Sequence, residues 1–268
     1  MRTALTIAGS DSSGGAGIQA DIKTMQALGV FATSAVTAVT VQNTCKVFAI
    51  QEMRPEIVRD QILCLFEDMQ IHAVKIGMVA GTALIEAVAG ALQQVSRPPV
   101  VLDPVMISKS GYPLLKEDAC RSLIQRLLPL ADIVTPNLPE AAALLGSPVQ
   151  NLEQMKDAAR AIADLGPAAV VIKGGHLEAG RAADVFYDGR AFSILESVRF
   201  DTPNTHGTGC TFAAAIAAGL AKGQPMAQAV AEAKTYITGA IEHSLSIGKG
   251  HGPTNHFWQL YRRAGIEF

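Results

Sequence analysis

Ala169-Val170-Val171-Ile172-Lys173 is an apolar run closed by a charged residue, and Val100-Val101-Leu102-Asp103 repeats the pattern. A strand with one wet face alternates apolar and polar side chains. An unbroken apolar run instead fits a strand covered on both faces, as in a parallel sheet between two helix layers. Working outward, β-branched runs at 5–8, 35–41, 74–76 and 133–135 join 100–102 and 170–172 as predicted strands. Segments of helical period lie between and after them, at 18–28, 55–69, 83–95, 120–128, 152–165, about 208–221 and 227–244. This alternation predicts an α/β fold with a doubly wound, mostly parallel sheet and helices on both faces. Ala183 to Arg190 carries an Asp188-Gly189 turn and reads as a hairpin, hence antiparallel strands at one sheet edge. No repeat or Pro/Gly-rich linker divides the chain, so residues 1–268 are expected to form a single domain.

Net charge is −2 and the pI near 6.3, with no dense Lys/Arg run, which disfavours nucleic acid or an anionic membrane as main partner. A small-molecule ligand is expected. The four cysteines form no CxxC or zinc spacing and suit a reducing cytoplasm. No signal-like or membrane-spanning apolar stretch is evident, so a soluble, cytoplasmic protein is expected.

In open sheets of this kind ligands sit beyond the carboxyl ends of the strands. The segments following the predicted strands are Gly9 to Gly17, Gln42-Asn43-Thr44, Gly77-Met78, Asp103-Pro104-Val105, Pro136 to Glu140 and Lys173-Gly174-Gly175. The first is glycine-rich but lacks the GxGxxG spacing, and no Walker A sequence occurs. The most loaded segment is NTHGTGCTFAAAIAA, residues 204–218, a loop running into an alanine-rich helix. Gly207 and Gly209 give backbone freedom, Thr208 offers a hydroxyl, and the helix start presents free N–H groups to an anion such as phosphate. Cys210 at that junction is expected to favour its thiolate and to serve as base or nucleophile; packing of a small apolar residue is the plainer alternative.

Asn137 and Glu140 could hold a magnesium hydration shell or form a capping box, and the two roles are compatible. Asp103 could join them or simply make a turn. Lys173 is a phosphate ligand or a surface lysine. The Gln42 amide can give and accept one hydrogen bond each, matching an aminopyrimidine edge. Met78 and Val105 suit the two faces of a flat ring, and Ala16 leaves room for it. Neither His206 nor His251 receives a catalytic role.

GSDSSGGAGIQAD at 9–21, VTAVTVQNT at 36–44, KIGM at 75–78, DPVM from Asp103, TPNLPEAAALL at 135–145, IKGGH at 172–176 and NTHGTGCT at 204–211 together resemble the hydroxymethylpyrimidine/phosphomethylpyrimidine kinases of thiamine biosynthesis, in the ribokinase-like superfamily. The resemblance implies that ATP and Mg2+ are used to phosphorylate 4-amino-5-hydroxymethyl-2-methylpyrimidine and then its monophosphate. It further implies that Gln42 reads the pyrimidine edge, that Gly9, Ala16, Met78 and Val105 shape the pocket, and that Cys210 faces the substrate hydroxyl where sugar kinases carry aspartate. Gly207, Thr208, Gly209 and Cys210 would direct N–H groups at the moving phosphoryl. Lys173, Asn137 and Thr208 would serve ATP, and Glu140 with Asp103 would hold the metal, largely through water. A homodimer is expected. A pyridoxal or pyridoxine kinase is the nearest rival, although the stretch PVMISKSGYPLL after Asp103 lacks the second cysteine of some pyridoxal specialists. A silent pyrimidine-binding protein is a third reading. Residues 108–114 are a candidate cover over the site.

Overall fold

The computed structural model describes residues 1–108, 111–115, 118–175 and 181–266. One sheet runs through it in the order β3-β2-β1-β4-β5-β6-β7-β8-β9. The strands are β1 (Thr3–Asp11), β2 (Phe31–Gln42), β3 (Val47–Glu52), β4 (Ala73–Ile76), β5 (Val100–Leu102), β6 (Ile133–Val134), β7 (Ala169–Ile172), β8 (Arg181–Tyr187) and β9 (Phe192–Val198). From β2 through β7 all neighbours pair in parallel. The hairpin of β8 and β9 turns at Asp188-Gly189 and adds antiparallel strands beside β7.

The expected antiparallel edge is there, and β3 adds a second that the sequence did not signal, pairing antiparallel with β2 at the opposite edge. Asn43 makes that reversal, its side-chain oxygen accepting from the N–H groups of Cys45 and Lys46 at 2.9 and 3.1 Å. Most of β3 is exposed or half-exposed, so the strand carries little of the apolar signal that marks the central ones.

Burial on both faces follows from alternate residues within each short strand. Leu5, Ile7, Val74, Ile76, Val100, Leu102, Val170 and Ile172 enter one apolar cluster. Helices α2 (Pro55–Asp68), α3 (Thr82–Gln93) and α6 (Leu152–Ala163) supply Val58, Ile62, Ile85, Val88 and Ile162 to it. Ala4, Ala73, Val101, Ile133 and Val171 point the other way, toward α1 (Gly17–Ala27), α7 (Thr208–Ala221) and α8 (Met226–Glu242). Thr211 through Ala221 of α7 are all buried, as an alanine-rich helix wedged between sheet and α8 should be. The helix expected at 120–128 begins as α4 (Ala119–Ser122) and loosens into a π turn at Leu123–Leu127 and a 3-10 turn at Leu128–Leu130, where Pro129 interrupts the helical ladder. Two further helices, α5 (Leu138–Leu145) and α9 (Trp258–Ala264), complete the set. β1 lies between β2 and β4, so the chain leaves it in opposite directions, and a crevice opens at its carboxyl end.

Candidate active site

A cavity of about 990 Å³ occupies this crevice, and every residue singled out above as a site residue lines it. One wall is the start of α7. Gly207 adopts φ +79°, and a β-carbon there would overlap the Gly15 carbonyl oxygen, so glycine is required on both counts. No side chain caps the helix. Thr208 turns inward: its hydroxyl and its N–H both reach the Thr205 carbonyl, at 2.7 and 3.3 Å. This narrows the expected set of free donors, because the Thr208 N–H is already engaged. Among the described residues the N–H groups of Gly207, Gly209 and Cys210 have no acceptor, and they lie at the positive end of the helix dipole.

The expected thiolate at Cys210 is corrected. Burial pushes the thiol up, and although Lys75 pulls it down, Asp21 and Asp103 add to the rise, leaving it at about 11. The dipole argument holds for an exposed helix start; here loss of water outweighs it.

Lys173 sits at the floor of the same wall. Its ammonium lies 2.8 Å from Asp103 Oδ1 and 3.8 Å from Glu140 Oε2, and Thr135 donates to Asp103 at 3.2 Å. A β-carbon at Gly209 would stand 3.2 Å from Lys173 Nζ, so the pair abuts the anion loop. Asn137 and Glu140 form the capping box of α5, with the Glu140 N–H reaching Asn137 Oδ1 at 2.9 Å and the Asn137 N–H reaching Glu140 Oε2 at 2.8 Å. Capping does not exclude Glu140 from chemistry, since both residues still line the cavity. Burial raises the Glu140 carboxyl, Lys173 opposes this and Asp103 adds to it, and it comes to about 7. The Lys173 ammonium is held charged because Asp103 and Glu140 outweigh its desolvation.

The opposite wall is largely apolar. Met78 packs against Gly9, where a β-carbon would stand 3.0 Å from the Met78 sulfur. Val105, Ala16 and Gln42 complete it. Gly17 has φ +56° and lies so close to the Gly9 carbonyl that no larger residue fits. Ser108 and Leu114 also border the cavity, joined by a reversal in which Ser108 N–H reaches the Tyr112 carbonyl at 2.8 Å. Lys109 and Ser110 of the expected cover, and His176 of the IKGGH segment, lie outside the described residues.

Sequence reasoning passed over three buried charged groups, Asp11, Asp21 and Lys75. Asp11 accepts from Ser13, Gly15, Ala16 and His206, which ties the first loop to the anion loop. Lys75 and Asp21 form a fully buried ion pair at 2.9 Å, to which Thr6 donates at 2.6 Å. Asp21 holds Lys75 charged against its desolvation. A lysine inside an apolar strand, KIGM, was the one available signal for the pair. Among the described residues no three His, Cys, Asp or Glu side chains gather into a metal cage, and no helix is long and apolar enough to cross a membrane.

Residues 11–255 match the model of the phosphomethylpyrimidine kinase family. The chain belongs to that family. It is 51% identical over 262 residues to the hydroxymethylpyrimidine/phosphomethylpyrimidine kinase of Haemophilus influenzae, covering 96% of this chain and 97% of that one. It is 49% identical over 252 residues to the thiamine biosynthesis bifunctional protein ThiED of Geobacter sulfurreducens, covering 94% of this chain and 51% of the larger protein. An ADP complex of Bacillus subtilis pyridoxal kinase superposes with a TM-score of 0.91 at 40% identity, over 97% of this chain and 99% of that one. The phosphomethylpyrimidine kinase family member described here is therefore a kinase with the ribokinase-like fold expected from its motifs.

Proposed function

We propose that the cavity transfers the terminal phosphoryl group of ATP to the hydroxymethyl oxygen of 4-amino-5-hydroxymethyl-2-methylpyrimidine, and in a second round to the phosphate of the monophosphate. The carrying observation is that unbonded N–H groups at Gly209 and Cys210, the Lys173 ammonium and the Gln42 amide line one cavity. Phosphoryl transfer passes through a loose, charged transition state, which asks chiefly for in-line positioning and charge stabilisation. Gly209 and Cys210 N–H groups would hold the migrating group while the bond from its phosphorus to ADP breaks and the bond to the hydroxymethyl oxygen forms. Lys173, with Asn137 and Thr208 beside it, would hold the phosphates of ATP. Cys210 would face the hydroxymethyl oxygen, and its sulfur would take the hydroxyl proton only in the small fraction of molecules that carry the thiolate. Gln42 would hold the pyrimidine edge between Met78 and Val105, with Gly9 and Ala16 leaving room for the ring.

Two buried carboxylates, Asp103 and Glu140, share one ammonium. That arrangement fits a hydrated magnesium ion better than a fully protein-coordinated one. Bound there, Mg2+ would neutralise phosphate charge.

An ADP-release assay offering the pyrimidine alcohol and pyridoxal side by side tests the assignment. Turnover of the alcohol with higher kcat/KM is expected; preference for pyridoxal would favour the second reading, to which the likeness to pyridoxal kinase points. We further infer that residues 1–268 act as one domain, since all nine strands among the described residues share a sheet. The four cysteines are free, in keeping with a cytoplasmic location. Exposed Val39, Val41 and Phe48 on β2 and β3 support a homodimer, which sedimentation would reveal.

A further inference from the structure

The ring-side wall contains a hydrogen-bond chain whose protons can be counted. His206 Nε2 lies 2.7 Å from Asp11 Oδ2. The same oxygen accepts from the N–H groups of Gly15 and Ala16 at 3.1 and 2.8 Å. Burial opposes the charge on Asp11, yet hydrogen bonds from His206 and Ser13 hold its carboxyl at about 2, so it can only accept. Nε2 of His206 therefore carries a hydrogen whichever charge the ring bears. One end of the Gln42 amide lies 3.4 Å from that nitrogen, and the other end lies 3.2 Å from Thr40 Oγ1. Thr40 Oγ1 is also 3.0 Å from the Ser10 carbonyl, which only accepts and so takes the single hydroxyl proton. An amide nitrogen facing His206 would oppose two donors, and the amide oxygen would ask Thr40 for a second proton. Turned over in the same volume, the amide removes both conflicts. Its carbonyl accepts from His206 and its NH2 donates to Thr40.

We infer that His206 is a specificity-determining residue: its one Nε2 hydrogen, held mainly by Asp11 and reaching Gln42 as the longer arm of a three-centre bond, acts with Thr40 to fix the Gln42 carbonyl on the anion-loop side and the amide NH2 on the β2 side. The inference deepens the pyrimidine reading and rests on it. On that edge the 4-amino group donates and the adjacent ring nitrogen accepts, while the 5-hydroxymethyl group sits next to the amino group. A carbonyl fixed beside His206 draws the amino group there and turns the hydroxymethyl toward the loop that continues into Gly207 and Cys210. The opposite amide orientation would turn the reacting oxygen away. Pyridoxal carries no amino group beside its hydroxymethyl, so it gains less from this order.

The test begins with wild-type enzyme labelled with 15N, in which the Gln42 side-chain pair is assigned by its loss in Gln42→Glu. Stronger nuclear Overhauser transfer from the NH2 protons to Thr40 than to the His206 ring is expected, and the reverse order overturns the proposal. In His206→Leu, KM for the pyrimidine alcohol should rise about tenfold, with a smaller change in kcat and a smaller change in KM for pyridoxal. His206→Gln, which keeps an N–H donor, should recover most of that loss; equal damage in both variants overturns the donor role. If His206→Leu leaves the pyrimidine KM intact while Gln42→Ala raises it, Thr40 alone orients the amide and the specificity role of His206 is overturned with the ring placement standing; if Gln42→Ala also leaves it intact, the ring edge is not read by Gln42 and the underlying reading falls.

Discussion

Raising the pH interrogates Cys210 directly. With its thiol at about 11, roughly one molecule in 10⁴ carries the thiolate at pH 7, and each added pH unit multiplies that fraction about tenfold. A protonated thiol cannot take a proton, so if sulfur is the base, kcat at saturating substrates should climb about tenfold per unit between pH 7 and 9. Cys210→Ala should lose the climb, and at pH 9 should run about 10²- to 10⁴-fold below wild type. Release of ADP in a coupled assay gives the rate. Alkylation of Cys210 by iodoacetamide, followed by peptide mass, gives the thiolate fraction independently, because only the thiolate reacts. A flat kcat beside a climbing alkylation rate would show that the proton leaves by another route. Alkylation at pH 7 as fast as that of a free thiol would refute the claim that burial dominates the cysteine.

Lys75→Met strands the Asp21 carboxylate in the core and should cost about 3–5 kcal/mol, or about 6–20 °C in Tm, with Lys75→Met/Asp21→Leu recovering most of it; a double variant as unstable as the single one contradicts the pairing. Glu140 keeps its proton to about 7 in the folded protein against 4.5 ordinarily, so between those values the folded state binds more protons and stability falls as pH rises, with no contribution to the slope outside the window. Thermal melts of Glu140→Gln should lack that fall, and an unchanged pH dependence would exclude Glu140 as its source. Gly207→Ala meets both a left-handed φ and the Gly15 carbonyl, and kcat should drop at least about tenfold as the loops separate; wild-type turnover would mean that their contact is dispensable.

The parallel core was legible because burial on both faces leaves unbroken apolar runs such as Ala169–Ile172, and α7 was legible because glycine, threonine and alanine follow one another in a helix-start pattern. β3 was not, since an exposed edge strand needs no apolar face. The residues that line the cavity were recognisable singly as candidates, by type and, for most, by place after a strand. Their partners were not: that Lys173 answers both Asp103 and Glu140, or that Asp11 meets His206, depends on segments brought together only by the fold. Cys210 shows the limit most plainly. Its helix start is a local feature and could be read, whereas the desolvation that reverses its acidity comes from residues distant in sequence.

The join between Asp11 and His206 spans 195 residues of chain. At ordinary rates of synthesis about 10 to 40 s separate the emergence of the two from the ribosome. Throughout that interval the first loop has its glycines and its carboxylate but no imidazole to dock against, and β1 lacks the helix that roofs it. A nascent chain cannot bind its ligands properly before its last quarter arrives, so truncated products should be inactive and readily exposed to proteases, and catalytic competence should switch on abruptly when α7 docks.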